Sequence, residues 1–128
     1  MRSEEDELAD EIADRWVETH KKSMVTYIVL VLLAEKAMWS RELEAAFRDV
    51  TAWEITERGL HRVLQRMADL DLVNFVEAVS PESGARRKVY AITEQGWRVV
   101  ELINAKGMHY DMHPKYTERA RQIVHPTS

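Results

Sequence analysis

Hydrophobic positions along this chain follow two periods, one helical and one extended. Leu8, Ile12, Trp16 and Val17 recur every three to four residues among Glu and Asp, which predicts an amphipathic helix over residues 4–20. Ser3 is placed to cap it, and acids crowd its first turn, where the helix dipole favours negative charge. Nothing this early in the chain offers that apolar stripe a partner. It is expected to pack on the rest of the domain or across a dimer. Lys21 to Lys36 reads as a second helix, apolar nearly all round from Tyr27 to Leu33 and therefore buried. Its β-branched residues would suit a strand as well. Helix is preferred because Met24–Lys36 contains no Gly or Pro and ends in the good helix formers Ala34-Glu35-Lys36-Ala37.

Ser40 then caps a short helix, Arg41 to Val50, with Leu43, Ala46 and Phe47 inward. Residues 51–55 connect it to a helix that starts at the cap Thr56. At about 100° per residue, Leu60, Val63, Leu64, Met67 and Leu70 share one side of that helix, and Arg58, His61, Arg62 and Gln65 share the other. After it the period shortens to two. Residues 72–79 and 86–92 predict paired strands with Val73, Phe75, Tyr90 and Ile92 toward the core, joined by a turn at Ser80-Pro81-Glu82-Ser83-Gly84. Thr93-Glu94-Gln95-Gly96 opens a last core helix carrying Trp97, Val100, Leu102 and Ile103, which Asn104 to Gly107 ends. From Met108 onward the chain is polar and irregular, with Pro114 and Pro126, and Tyr116–Val124 is a candidate for one more helix.

A helix with one basic face, preceded by a short helix and followed by a ribbon bearing Arg86-Arg87-Lys88, has the form of a winged helix-turn-helix. The predicted fold class is mainly α with a β-hairpin wing (α+β), flanked by N- and C-terminal helices. The corresponding division is an acidic helix at 1–20, a DNA-binding domain at 21–103 and an extension with dimer contacts at 104–128. The helix at about 56–71 would enter the major groove, and the wing at about 72–92 would lie on backbone or minor groove.

Composition changes this picture in one respect. The formal net charge is −4 over 128 residues, which at first argues against a polyanionic partner. Eight acids and two arginines in residues 1–19 give that segment −6, however, leaving +2 on residues 20–128. Local placement matters more than the total. Apolar residues at 45% and charged residues at 31% are ordinary for a soluble globular chain. With no cysteine there is neither a disulfide framework nor a thiolate metal site. The longest apolar run, Met24 to Ala34, is too short to span a bilayer, and the acidic start is unlike a signal peptide, so no membrane partner and a cytoplasmic address are expected.

Candidate DNA contacts follow from chemistry. Arg and Gln side chains can hydrogen-bond base edges, which makes Arg58, Arg62 and Gln65 the leading candidates, with His61 and Arg66 beside them. The bland alternative is a solvated face of an ordinary amphipathic helix. Arg86, Arg87 and Lys88 sit where a wing meets phosphate or the minor groove. Strand alternation allows at most two of them to face one way. Arg41 and Arg48 are weaker phosphate candidates.

Three stretches resemble the PadR family of winged-helix regulators. Leu30 to Leu43 matches the family's Leu-x-Leu-Leu-Ala-Glu-Gly-Pro-Leu-x-Gly-Tyr-Glu-Ile, with Ser40-Arg41 in place of Gly-Tyr. Arg58 to Met67 lies where the family has Gly-Thr-Leu-Tyr-Pro-Ala-Leu-x-Arg-Leu, with His61-Arg62 in place of Tyr-Pro. Arg87 to Gly96 matches Arg-Lys-Tyr-Tyr-x-Leu-Thr-x-x-Gly well. The resemblance covers about residues 24–103. It implies a homodimer, joined largely through helices outside the wing, that binds double-stranded operator DNA, usually to repress. The cysteine-free, low-lysine, acid-led sequence is also similar to haloarchaeal PadR-like regulators, which implies a stress response. No base preference carries over across the departures.

The remaining features point less sharply. Trp16, Trp53 and Trp97 fill the core or a dimer seam, or line a small-molecule effector pocket as in relatives that bind one. His109, Asp111 and His113 alternate, so an extended segment would place them on one face suited to a divalent metal, but the spacing is generic and a surface role outweighs it. Neither a cofactor nor a metal is therefore assigned. Six methionines could report oxidation, although most read as core. There is no nucleophile–base pair, phosphate loop or established metal-ligand spacing, so catalysis is not expected. The competing reading is a protein-interaction module that reads no base.

Overall fold

The computed structural model describes residues 3–124. Helix α1 spans Glu4–Glu35, strand β1 Met38–Trp39, α2 Ser40–Thr51, α3 Glu57–Asp69, β2 Val73–Val79, β3 Arg86–Ile92, α4 Glu94–Gly107 and α5 Pro114–Val124, with a short 3-10 helix at His109–Met112 before α5. The three strands form one antiparallel sheet in the order β1-β3-β2. This is the predicted mainly-α winged arrangement. Pro126 lies outside the described residues.

The two helices expected at 4–20 and 21–36 are one continuous α1. No Gly or Pro interrupts the sequence there, and no capping residue closes the first half. Ser3 caps its start as expected, with its hydroxyl accepting the Asp6 N–H at 3.1 Å. The C-terminal half of α1 is the buried one, through Val25, Val29, Leu30, Leu32 and Leu33. Val31, expected to be buried with them, is 44% exposed, because a single helix cannot turn every side to one small core. Strand β1 was not anticipated: two residues are too few to show a period.

The core joins α1 to Met38, to Leu43 and Phe47 of α2, to Leu60, Val63, Leu64 and Met67 of α3, and to Val73 and Tyr90 of the sheet. Leu70, predicted on the packing face of α3, is exposed because the helix ends at Asp69 and the chain turns away there. Phe75 lies on the same sheet face as Val73 and Tyr90, yet it is 42% exposed because the hairpin extends past the helices that cover its root.

Besides the pairing of β1 with β3, a hydrogen-bonded junction ties the root of the wing to α3 and α4. Asp71, at φ 58, turns the chain out of α3. Thr93 then caps α4 and stitches it to that turn: its N–H donates to Leu72 O at 3.0 Å, its hydroxyl donates to Asp71 O at 2.6 Å, and the hydroxyl oxygen accepts the Gly96 N–H at 3.0 Å. Gln95 Nε2 donates to Leu70 O at 2.8 Å. The approach is so close that a Cβ on Gly96 would stand 2.2 Å from Leu72 O.

Gly96→Ala is therefore expected to cost about 1–3 kcal/mol, the range for overpacking, and to fall at its upper end because the atom it meets is backbone. Gly107→Ala, where a Cβ meets nothing within 4 Å, should be neutral or stabilising by up to about 1 kcal/mol. Urea unfolding of the two variants checks this. Equal destabilisation would contradict the close approach.

Candidate nucleic-acid interface

The geometry begins with helix α3. Thr56 caps it, its hydroxyl accepting the Gly59 N–H at 3.0 Å. Leu60, Val63, Leu64 and Met67 are at most 8% exposed. With that side sealed, Arg58, His61, Arg62, Gln65 and Arg66 all stand exposed on the rest of the surface. Two of the five have partners on their own helix: His61 Nε2 lies 3.9 Å from Glu57 Oε1, and Gln65 Nε2 donates to Asp69 Oδ1 at 3.0 Å. Arg58, Arg62 and Arg66 form no ion pair with any described residue. Helix α2 packs across α3 through Leu43 and Phe47, and Ala52, at φ 60, closes α2 so that the chain can turn into α3.

On the wing, antiparallel pairing aligns Glu77 with Lys88, Ala78 with Arg87 and Val79 with Arg86. Period two then puts Arg86 and Lys88 on one face and Arg87 on the other, as the alternation required. Arg86 Nη1 lies 3.2 Å from Glu77 Oε2, and both side chains remain largely exposed. Lys88 Nζ sits 4.4 Å from the centre of the Phe75 ring. Arg87 instead stacks on Trp39 of β1, with Cζ 4.2 Å from the ring centre. Arg41, at the start of α2, approaches the same ring at 5.8 Å. Arg48 lies 3.5 Å from Glu54 Oε2. Burial pushes the Tyr90 phenol above its ordinary 10.0, so it stays neutral at the wing root.

The structure thus gathers the α3 candidates on one face and distributes Arg86, Arg87, Lys88 and Arg41 over the two sides of the hairpin and the start of α2. Sequence reasoning passed over Trp39. The signal available was an aromatic two residues before an Arg, just ahead of a helix, but no period marked it as part of a sheet. Residues His109–Met112 form a 3-10 helix, so the shared face that an extended segment would give His109, Asp111 and His113 is not formed. Among the described residues no group of three or more potential metal ligands comes together. Trp53 packs half-buried against the core, whereas Trp16 and Trp97 are 64% and 44% exposed and fill no monomer core. Met38 and Met67 are buried in the core, and Met112 is 78% exposed. No helix among the described residues is long and apolar enough to cross a membrane.

Comparison with known proteins agrees with this geometry. The family model of the PadR-like transcriptional regulators matches residues 29–102. Among solved structures, a PadR-family transcriptional regulator from Eggerthella lenta aligns with TM-score 0.69 and 21% identity, over 77% of this chain and 85% of that one. A PadR-like regulator from Bacillus cereus aligns with TM-score 0.65 and 19% identity, over 81% and 97%. Bacillus subtilis PadR in complex with operator DNA aligns with TM-score 0.56 and 16% identity, over 61% of this chain and 45% of that one. No curated protein sequence matches the chain.

Proposed function

The chain belongs to the PadR-like family of transcriptional regulators, and on that premise we propose that it works as a homodimer that reads operator DNA with α3 and steadies it with the wing. The observation that carries this reading is the exposed side of α3, where Arg58, Arg62 and Arg66 stand without carboxylate partners among the described residues. Free guanidinium groups on a rigid helix suit guanine edges and phosphates. Arg58, His61, Arg62, Gln65 and Arg66 are assigned to the major groove. Arg86, Arg87, Lys88 and Arg41 are assigned to backbone or minor-groove contacts. A solved relative described as bound to operator DNA supports the ligand class. No catalytic step belongs to this reading, and its stress-response component rests on the sequence resemblance alone.

The dimer follows from what the monomer leaves uncovered. Leu8, Ile12 and Trp16 on α1 are 57%, 60% and 64% exposed, and Leu102 on α4 is 52% exposed. A stripe of that kind on a long helix is expected to be covered. The first half of α1 and the C-terminal extension, where Met112 and Ile123 are each 78% exposed, are accordingly assigned to subunit contacts. Pairing would place two α3 helices on one duplex, about 34–36 Å apart if they read successive major grooves.

Selection of bound duplexes from a random pool at two salt concentrations tests the reading, and a dyad-symmetric motif is the expected product. Arg58→Glu and Arg62→Glu should each weaken binding to the selected duplex about ten- to hundredfold, the cost of losing a base or phosphate contact. Enrichment of nothing, or full affinity in both variants, would favour an interaction module. Separately, Ile12→Glu should convert a dimer into a monomer in sedimentation velocity while leaving the helical circular dichroism signal intact. A variant that remains dimeric would remove α1 from the interface.

A further inference from the structure

We propose that Trp39 is a positioning residue that holds Arg87 of the wing and Arg41 of α2 together as one phosphate clamp. The inference rests on the operator-binding reading above and adds to it a residue with no charge of its own. Two cations that would otherwise repel converge on one indole: Arg87 Cζ lies 4.2 Å and Arg41 Cζ 5.8 Å from its ring centre. The electron-rich ring face attracts both.

Arg87 shows what this arrangement leaves available. A guanidinium stacks with its flat face and hydrogen-bonds through N–H groups in its plane. Its Nε is buried without a hydrogen-bond partner. Neither terminal nitrogen makes a hydrogen bond or ion pair with a described residue. With Cζ held over the ring, the terminal fork, the half suited to gripping a phosphate with two parallel bonds, is left without a partner among the described residues. Lys88 and Arg86 on the opposite face do not have this arrangement: one lies over Phe75, and the other is paired with Glu77.

Glu42, the residue after Arg41, is already engaged. Glu42 Oε1 accepts the Trp39 backbone N–H at 3.3 Å, and Oε2 lies 3.9 Å from Lys36 Nζ. Trp39 pairs with Val89 of β3, so the ring is fixed to the wing strand, while Arg41 rides on the first helix of the motif. Those two elements are the ones that meet backbone rather than bases in winged and helix-turn-helix proteins. Arg41 also stands where the sequence resemblance has Tyr, which makes the two-arginine arrangement a feature of this chain.

The clamp contacts phosphate and carries no sequence preference, so a mixed-sequence DNA duplex serves as the probe in anisotropy titrations across a range of salt. Trp39→Ala is expected to bind about tenfold more weakly and to flatten the slope of log affinity against log salt by about one phosphate contact per protomer. Trp39→Phe, which keeps a ring face, should restore most of both. Arg87→Ala, which removes no core side chain, should account for most of the Trp39→Ala loss, the remainder being Arg41's share, and the double variant should be no weaker than Trp39→Ala. An unchanged slope in Trp39→Ala, or additive losses in the double variant, overturns the clamp while leaving DNA binding intact. If Trp39→Ala does not fold, the salt slopes of Arg87→Ala and Trp39→Phe decide: a full slope in the first, or one reduced in the second as far as in Arg87→Ala, overturns it. A wild-type chain that binds no duplex at any salt overturns the operator-binding reading and the clamp together.

Discussion

The rotation of α3 about its own axis is set by four side chains. Leu60, Val63, Leu64 and Met67 are 0%, 8%, 0% and 1% exposed, and burying each is worth about 1.5–3 kcal/mol. Turning the helix by half a turn would drown Arg58, Arg62 and Arg66 in the core and expose those four, a cost at least comparable to the whole stability of an ordinary domain. The basic face is therefore presented by the core rather than by any contact of its own. Its arginines remain available because nothing inside the domain requires them.

A second constraint relates the wing to that face. Thr93, Gly96 and Gln95 bind the start of α4 to the backbone at Leu70–Leu72, where α3 gives way to β2. The last glycine of the Arg87–Gly96 match thus has a physical reason: a side chain there would collide with Leu72 O. Because β3 runs directly into Thr93, the same knot sets where the hairpin springs from the helices. Beyond its root the hairpin is held by its own strand pairing, by β1 along β3 with Arg87 over Trp39, and by cross-strand contacts such as Lys88 over Phe75.

Much of this was legible from periodicity. The inward and outward faces of α3 are legible in residues 58–70, Leu70 excepted, and the strands in the alternation within 72–79 and 86–92. What was missed has common physical causes. Helix continuity through residues 20–21 depends on the absence of a stop signal, which is harder to see than its presence. Burial of an apolar residue depends on whether the rest of the chain is large enough to cover it, so Leu102 and Val31, which read as core, are exposed, and Trp16 and Trp97, which read as core or dimer seam, are not covered within one chain. The role of Trp39 depends on a strand two residues long and on an arginine that lies 48 positions later in the chain. Local pattern carries no information about such a pairing.

The central claim is that the outward side of α3 meets base edges in the major groove. Guanine N7 lies on the floor of that groove and is where an arginine fork binds. Protection from dimethyl sulfate on a selected duplex reads this atom directly. The account predicts guanines shielded in two half-sites about one helical turn apart, with the shielding lost when Arg62 is replaced. Undiminished N7 reactivity on a fully occupied duplex would contradict it.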